Sequence, residues 1–344
     1  MTPVTNINHG ASTTLGNYMA LRLIGQIARL AVLALVLASC AQPEFAQSFS
    51  EFHRTFPVSL AEPVSLQVEL SEGELTIAYS RDGEVSIAAI AQISAGAKTE
   101  GEFPAATLAI QQDGNHIHVQ RASQAGPLES GPRVTYRIDV PYRTEVDSFL
   151  AHGKQTITGI MGPIQVETKN GDIKLSYISK NVLPRAGSGD LDFQVIGEHI
   201  EAKTGRGNIS CVRAPQGVSA ETQDGDIALM VVGPSNATVR RETGRIDAGG
   251  LRGSFLASTD PGDLHVKAIP HYEWRLNSAS GNIRVELPSA AKFEIDAAAN
   301  SGEVIIGRDG IHRADAEVRR VHQEVNGGGK RVAVQTDSGR IVIT

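Results

Sequence analysis

The sequence predicts an all-β fold, a single-chain parallel β-solenoid (β-helix-like) with about 18 residues per coil. Three observations predict it: a glycine that recurs on a near-fixed period, apolar columns in register with it, and little helical periodicity after the first forty residues. The successive gaps are 18, 18, 18, 18, 19, 18, 19 and 21 residues, as expected of short units that stack on one another. The recurring glycines are Gly153, Gly171, Gly189, Gly207, Gly225, Gly244, Gly262, Gly281 and Gly302.

The residues that follow each glycine alternate between apolar and polar. Period-two alternation predicts a strand with one buried face, and a second alternating segment precedes each glycine. We therefore expect a flattened solenoid with about two main strands per coil, rather than the three six-residue sides of a hexapeptide helix. The apolar residues two positions after the glycine are Ile173, Leu191, Ile209, Ile227, Ile246, Leu264, Ile283 and Val304.

The glycine itself has a structural role in the turn between the two strands. A residue without Cβ can take a positive φ at low cost, and the small polar residue that precedes most of these glycines can bond the nearby backbone. Gly339 repeats the pattern near the C terminus. We expect all ten glycines to be structural turn residues.

The first 39 residues predict a signal peptide of the lipoprotein type. Arg22 and Arg29 precede an apolar run from Leu30 to Leu37, and Ala-Ser at residues 38–39 leads directly to Cys40. This segment resembles the lipobox of bacterial lipoproteins, and the resemblance implies that Cys40 is lipidated. The run is shorter than the roughly 20 apolar residues of a membrane span. Met19 is an alternative start, and an ordinary signal peptide with an incidental cysteine is the alternative interpretation.

The rest of the chain divides into a tether and one domain. Residues 40–62 are predicted to be a lipidated tether, and residues 63–344 a β-solenoid adhesin-like domain. Within this domain, we expect a less regular N-terminal part (63–150), regular coils (151–306), and an irregular C-terminal coil and cap (307–344). The last five residues, 340–344, are expected to form an exposed strand edge to which a partner could add a strand.

Four segments carry a resemblance to a known family. They read EGELTI at 72–77, YRIDVP at 136–141, NGDIKL at 170–175 and VAVQTDSGRI at 332–341. Together they resemble a bacterial "putative adhesin" domain family of unknown function, over roughly residues 60–344. The resemblance implies a β-solenoid fold and an envelope location, and it brings no catalytic residues with it.

Charge and composition favour binding or scaffolding over catalysis. The net charge of −6 is modest and the basic residues are dispersed, which does not support a nucleic-acid partner. The expected function is that of a non-enzymatic cell-envelope lipoprotein with a binding or scaffolding surface. Its expected partners are the membrane, through the lipid anchor, and an envelope protein or a glycan, with no cofactor. In a cell with two membranes, Ala41 after Cys40 resembles an outer-membrane sorting residue.

Two alternative functions come from an acidic column at the position after the glycine. In a calcium-binding β-roll-like module, carboxylates along one edge would hold the cation. Arg245 interrupts the column, so turn stabilisation is the preferred interpretation and no metal is predicted. The other alternative is a polysaccharide-active β-helix enzyme, for which no pair of acid and base residues stands out. The aspartates of the column are Asp172, Asp190, Asp226 and Asp263.

Other patterns suggest ligand contacts of lower specificity. A threonine column three residues before the glycine, including Thr204 and Thr222, could face a carbohydrate, although threonine also simply favours strands. His116 and His118 share one face of a strand, which is two ligands and too few for a metal site. Trp274 could stack on a sugar or cap the core. A basic run near the C terminus could contact an anionic glycan or lipid, although its interleaved acids favour a solvated face. The run comprises Arg313, Arg319, Arg320, His322, Lys330 and Arg331.

Overall fold

The computed structural model describes residues 48–93, 108–121, 133–239, 244–307 and 319–344. By its internal contacts the chain forms two units, residues 1–48 with 94–96 and residues 49–93 with 97–344, and the description below concerns the second. The described residues form 28 strands, in two sheets of 14, and no helix. Accordingly, this part of the chain offers no helix that could cross a membrane.

The two sheets, A and B, receive alternate strands over most of the chain. In spatial order, sheet A consists of β1 (Ser48–Pro57), β4 (Glu84–Ile93), β7 (Arg133–Val140), β3 (Glu74–Tyr79), β9 (Gln155–Thr158), β11 (Ile173–Ile178), β13 (Leu191–Ile196), β15 (Ile209–Ala214), β17 (Ile227–Val232), β19 (Ile246–Gly249), β21 (Leu264–Lys267), β23 (Ile283–Glu286), β28 (Ile341–Ile343) and β25 (Val304–Ile306). Sheet B consists of β5 (Leu108–Asp113), β6 (His116–Arg121), β2 (Val64–Glu72), β8 (Thr144–His152), β10 (Ile164–Asn170), β12 (Val182–Ser188), β14 (Ile200–Arg206), β16 (Val218–Asp224), β18 (Ser235–Val239), β20 (Phe255–Pro261), β22 (Trp274–Ser280), β27 (Lys330–Ser338), β24 (Phe293–Ser301) and β26 (Arg320–Val325).

The strand pairing confirms the predicted parallel β-solenoid. Ile173 pairs with Leu191, Leu191 with Ile209, and Ile209 with Ile227, each time in a parallel ladder between successive coils. All four side chains are buried. Each coil contributes one strand to each sheet, as the alternating pattern predicts.

The core lies between the two sheets and is continuous along the stack. Inward-facing side chains from every regular coil join one apolar cluster that extends from Phe56 to Ile343. Outward-facing side chains alternate with them along each strand, because successive residues of a strand point to opposite faces. A single coil has no partner for its inner face, so stability comes from stacking.

The anchor glycines occupy the turn from sheet B to sheet A, where successive coils touch backbone to backbone. Gly207 has φ +141°. A Cβ at this position would lie 2.1 Å from the carbonyl oxygen of Gly189 in the preceding coil. The amide of Gly207 donates to the carbonyl of Asp224 at 2.8 Å. Both the φ angle and the close approach therefore require glycine.

A second column of left-handed residues lies in the opposite turn, six positions after the anchor glycine. Its members include residue types that rarely adopt this conformation, and the β-branched valines are the clearest exceptions. The repeat across successive coils shows that the turn geometry of the stack imposes the conformation. The column, with φ between 55° and 77°, comprises Gly159, Tyr177, Val195, Arg213, Val231 and Gly250.

At the N-terminal end, the strands do not stack in chain order. The coil of β6 and β7 lies outside the coil of β2 and β3, although it comes later in the chain. Strands β4 and β5 then pair antiparallel to β7 and β6. The described end of the stack therefore presents antiparallel strands rather than another open parallel coil.

The C-terminal end shows the same exchange of order, which corrects one expectation. Strand β28 lies between β23 and β25 and pairs with both, so residues 340–344 are not the exposed edge predicted from the sequence. Gly339 also lies between two other anchor glycines. A Cβ added at Gly339 would meet Gly281, and a Cβ added at Gly302 would meet Gly339. The last coil is thus inserted into the stack, and β26 pairs antiparallel with β24 outside it.

Candidate functional site

The acidic column forms a ladder along the turn edge of the stack. Each Asp or Asn side chain accepts a hydrogen bond from the backbone amide at the equivalent position of the next coil. This ladder explains the column as turn stabilisation within the stack. The bonds run from Asp190 N to Asp172 Oδ1 (3.0 Å), Asn208 N to Asp190 Oδ1 (2.7 Å), Asp226 N to Asn208 Oδ1 (2.9 Å), Arg245 N to Asp226 Oδ1 (2.7 Å), Asn282 N to Asp263 Oδ1 (2.7 Å) and Arg340 N to Asn282 Oδ1 (3.1 Å).

These bonds leave each carboxylate with one oxygen already engaged. Calcium sites gather six to eight oxygen ligands around one point, whereas the ladder spreads its acids at one per coil, about 4.8 Å apart. The described residues contain no cluster of three or more His, Cys, Asp or Glu side chains placed to hold a metal ion. We assign no calcium role to the column.

The threonine column points into the core, so its interpretation as a solvent-facing ligand ladder is wrong. The Thr204 hydroxyl donates to the Gly189 carbonyl at 3.1 Å, and the Thr222 hydroxyl donates to the Gly207 carbonyl at 3.1 Å. Both side chains are buried. These threonines satisfy carbonyl groups of the glycine turn that would otherwise lack a partner inside the stack.

The remaining predicted residues do not assemble into a site. Cys40 lies outside the described residues. Burial raises the pKa of the Cys211 thiol to about 12 and leaves it a core residue. His118 Nε2 lies 3.8 Å from Glu69 Oε1, and His116 is exposed. Among the described residues, neither histidine belongs to a cluster that could hold a metal ion. Trp274 is 2% exposed and packs in the core, so its ring cannot stack on a sugar.

The best-formed concavity among those described is a groove on the outer face of sheet B, near the C-terminal end. We call it the sheet B groove. Its volume is about 610 Å³, and it crosses strands β20, β22, β27, β24 and β26. Its lining includes Glu273, Arg275, Asp296, Ala298, Arg320, Arg331 and Ala333.

The groove exists because one alanine lies in the middle of each of two adjacent rows of outward positions. Ala333 of β27 pairs with Arg275 of β22 on one side and with Asp296 of β24 on the other. Ala298 of β24 lies next to Arg320 of β26. Long side chains therefore stand at both sides of a floor made by two methyl groups. The insertion of β27 between β22 and β24 brings these residues together.

Of the three arginines that line the groove, one forms an ion pair with another described residue. Arg331 pairs with Asp296, and this contact raises the pKa of the arginine. His322, just beyond the groove, lies 3.6 Å from Glu294. Arg275 and Arg320 are exposed and form no ion pair within the part of the chain that the structure describes. Two guanidinium groups thus remain available to a ligand.

Sequence patterns identified part of this groove. The basic run placed Arg320, His322 and Arg331 together, and Arg313 of the same run lies outside the described residues. Arg275 was missed, although its position directly after an inward-facing residue of an alternating strand marks it as outward-facing. The alanine floor carries no signal in the sequence, because its strands are not consecutive.

A second charged cluster lies on the outer face of sheet A. His265 Nδ1 lies 2.8 Å from Asp247 Oδ1, and His265 Nε2 lies 3.3 Å from Glu286 Oε1. Arg284 and Lys267 also contact Glu286, at 2.8 Å and 3.3 Å. These contacts, led by the hydrogen bond from Arg284, lower the pKa of Glu286 to about 2. The cluster joins three neighbouring coils through their outward side chains.

Comparison with known proteins gives one family match. A family model described as Toastrack DUF4097 matches residues 65–344. No curated protein matches the chain. Among solved structures, a "putative cell adhesion protein" from Clostridium sporogenes is 10% identical over 86% of this chain and 99% of its own, with a TM-score of 0.24. A "putative adhesin" from Bacteroides fragilis and a "putative lipid binding protein" from Parabacteroides distasonis are each 14% identical over 86% of this chain and 97% of theirs, with TM-scores of 0.31.

Proposed function

Because the chain belongs to the Toastrack DUF4097 family, we propose that it is a non-enzymatic binding protein of the bacterial cell envelope, held at the membrane through lipidated Cys40. The sheet B groove is the binding surface. One observation carries this proposal: the groove is a broad concavity with two uncommitted arginines on a rigid strand platform. Such a platform positions side chains precisely, which suits recognition.

The chemistry of the groove favours binding over cleavage. Glycan hydrolysis by two carboxylates requires one to act as an acid and the other as a base or nucleophile. Asp296 is engaged by Arg331, and the acids of the turn column are engaged by backbone amides. Glu273, the other acid of the groove lining, is a single carboxylate, so these residues offer no free pair of acids. Binding also explains why the charged side chains stand at both sides of an open floor.

The groove lies far from the N-terminal edge strands of the sheets. Strand β1 lies at the N-terminal edge of sheet A, and β5 lies at the same end of sheet B. In sheet B, β27 lies eleven strands from β5, which is on the order of 50 Å. A ligand in the groove would therefore be bound far from these edge strands.

Cell fractionation tests the anchor. We expect the wild-type protein in the membrane fraction and the Cys40→Ala variant in the soluble fraction, because the lipid attaches to the thiol. Cys211→Ala is the matched control, since it removes the buried thiol and leaves Cys40 intact. An unchanged distribution of the Cys40→Ala variant would contradict the anchor.

A glycan and envelope-protein array tests the binding surface. Ala333→Trp fills the floor of the groove, and Ala228→Trp adds the same side chain on the exposed face of sheet A. We expect the wild type and Ala228→Trp to bind the same array ligand and Ala333→Trp to lose it. Binding that survives in Ala333→Trp would exclude the groove as the binding surface.

A further inference from the structure

The ligand class of the sheet B groove follows from its charges and spacing. Building on the binding role proposed above, we propose that the groove binds a segment of an acidic polysaccharide, a glycan chain that carries carboxylate groups. The proposed site lies on the outer face of sheet B over β22, β27, β24 and β26, and it includes no residue of the acidic turn column.

The charge available in the groove is positive. Its lining carries three arginines and two carboxylates, Glu273 and Asp296, which leaves a net charge of +1. Arg331 is neutralised by Asp296, whereas Arg275 and Arg320 have no ion-pair partner among the described residues. A guanidinium group binds a carboxylate through two parallel hydrogen bonds. An anionic ligand therefore fits this face better than a neutral or cationic one.

The two arginines stand on opposite sides of the groove. Arg275 is on β22 and Arg320 is on β26, with β27 and β24 between them. Three strand spacings separate their backbones by on the order of 14 Å. With both side chains upright on their strands, one carboxylate would not reach both guanidinium groups. A chain with acidic groups on successive units can contact both, which favours a polymer over a small anion.

The surface between the two arginines suits a sugar ring. The Ala298 and Ala333 methyl groups form a shallow floor, and Asn277 and Gln335 stand beside it in the same row as Arg320. Amide side chains both donate and accept hydrogen bonds, as sugar hydroxyls require. A pyranose ring has an apolar C–H face that can lie on the methyl groups. Floor and rim thus match a hydroxyl-rich ring that also carries a carboxylate.

Nucleic acid is a poorer fit to the same groove. Nucleic-acid binding neutralises several phosphates at once and usually stacks bases on aromatic side chains. The groove has two free arginines, and Trp274 beneath it is buried.

Calorimetric titration of the full mature protein tests the inference with three defined polymers. Polygalacturonate is an acidic glycan, dextran is a neutral glycan, and poly-L-glutamate is an acidic peptide. We expect binding of polygalacturonate, little binding of dextran, and weaker binding of poly-L-glutamate. The affinity for polygalacturonate should fall as salt concentration rises.

Charge-matched variants locate the site. Arg275→Gln and Arg320→Gln should each weaken polygalacturonate binding by about tenfold, because each removes one charge-assisted contact. Arg81→Gln removes an exposed arginine near the other end of the stack and should leave the affinity within about twofold of the wild type. Thermal unfolding of each variant establishes that it is folded.

Specific outcomes would overturn the inference. Equal affinity for dextran would remove the role of the carboxylate, tighter binding of poly-L-glutamate would indicate an acidic protein partner, and equal loss in Arg81→Gln would indicate nonspecific charge attraction. Failure of polygalacturonate while Ala333→Trp still abolishes binding to another array ligand would reject the acidic glycan and leave the proposed binding role intact.

Discussion

At the scale of single residues, the anchor glycines fix the geometry of the stack. We expect Gly207→Ala to destabilise the protein by more than about 2 kcal/mol, because its φ of +141° is strained for alanine and its Cβ would lie 2.1 Å from the Gly189 carbonyl oxygen. Chemical denaturation measures the change. Gly83→Ala is the control, since its Cβ would lie 3.6 Å from Leu60 and should cost less than about 1 kcal/mol. Equal effects would contradict the close stacking of the glycines.

The backbone conformation of a residue can be predicted from the sequence only where the residue type favours that conformation. Glycine reports a positive φ, so the anchor column was readable from the sequence. Tyr177 and Val195 also adopt positive φ, at 56° and 57°, yet their residue types disfavour it. The stack overrides the local preference at these positions, which is why sequence reasoning could not find the second column of turns.

The protonation of one surface residue gives a test at the same scale. Glu286 has a pKa near 2, below its ordinary value of 4.5, because Arg284 and Lys267 contact its carboxylate. A lowered pKa stabilises the folded state above about pH 4.5, and this contribution disappears as the pH falls toward 2. We expect Glu286→Gln to be less stable than the wild type at pH 7, with the difference shrinking below pH 4.5.

Denaturation at a series of pH values measures this difference. Glu74→Gln changes an exposed carboxylate on the same sheet and is the control, with a stability at pH 7 expected within about 0.5 kcal/mol of the wild type. A Glu286→Gln deficit that stays constant down to pH 2 would contradict the assigned ion pairs.

At the scale of elements, the ladder of Asp and Asn side chains links one turn to the next. We expect Asp190→Ala to destabilise the protein by about 1 kcal/mol, because its Oδ1 accepts the Asn208 amide at 2.7 Å. Asp190→Asn keeps an acceptor oxygen and should be within about 0.5 kcal/mol of the wild type. Thermal unfolding with and without calcium separates the two interpretations. A calcium-dependent stabilisation lost in Asp190→Asn would contradict the structural role.

The order of elements at the ends gives a second test. Ile341 of β28 is buried between β23 and β25, so Ile341→Ala should cost about 2–5 kcal/mol. Val342 points outward on the same strand and is partly exposed, so Val342→Ala should cost less than about 1 kcal/mol. Similar small costs for both would indicate an exposed edge strand and contradict the inserted coil.

The sequence predicts the interior of the stack better than its ends. In the regular coils, strand, turn and register repeat together, so a single period determines which strands are neighbours. At the ends, β27 fits equally well after β24 in chain order or between β22 and β24, because both positions offer the same alternating face. Long-range pairing decides between them, and local patterns carry no information on it. The sheet B groove depends on this choice and was therefore only partly predictable.

At the scale of the whole molecule, the proposed function rests on continuity of the stacked coils. Every coil contributes to one apolar interior, so the outer faces are held in fixed register over many strands. This register fixes the sheet B groove near the C-terminal end of sheet B. The described residues thus share one core, and the proposed binding surface lies on the outer face of one of its two sheets.

The most direct test of the stacked coils is a series of distances between pairs of nitroxide labels, measured by pulsed electron resonance. The outward positions Thr156, Lys174, Asp192, Ser210, Ala228 and Asp247 occupy one column of paired residues. With one label fixed at Thr156, moving the second from Ser210 to Ala228 to Asp247 should lengthen the distance by about 4.8 Å per step. Distances that do not increase in equal steps would contradict the parallel β-solenoid.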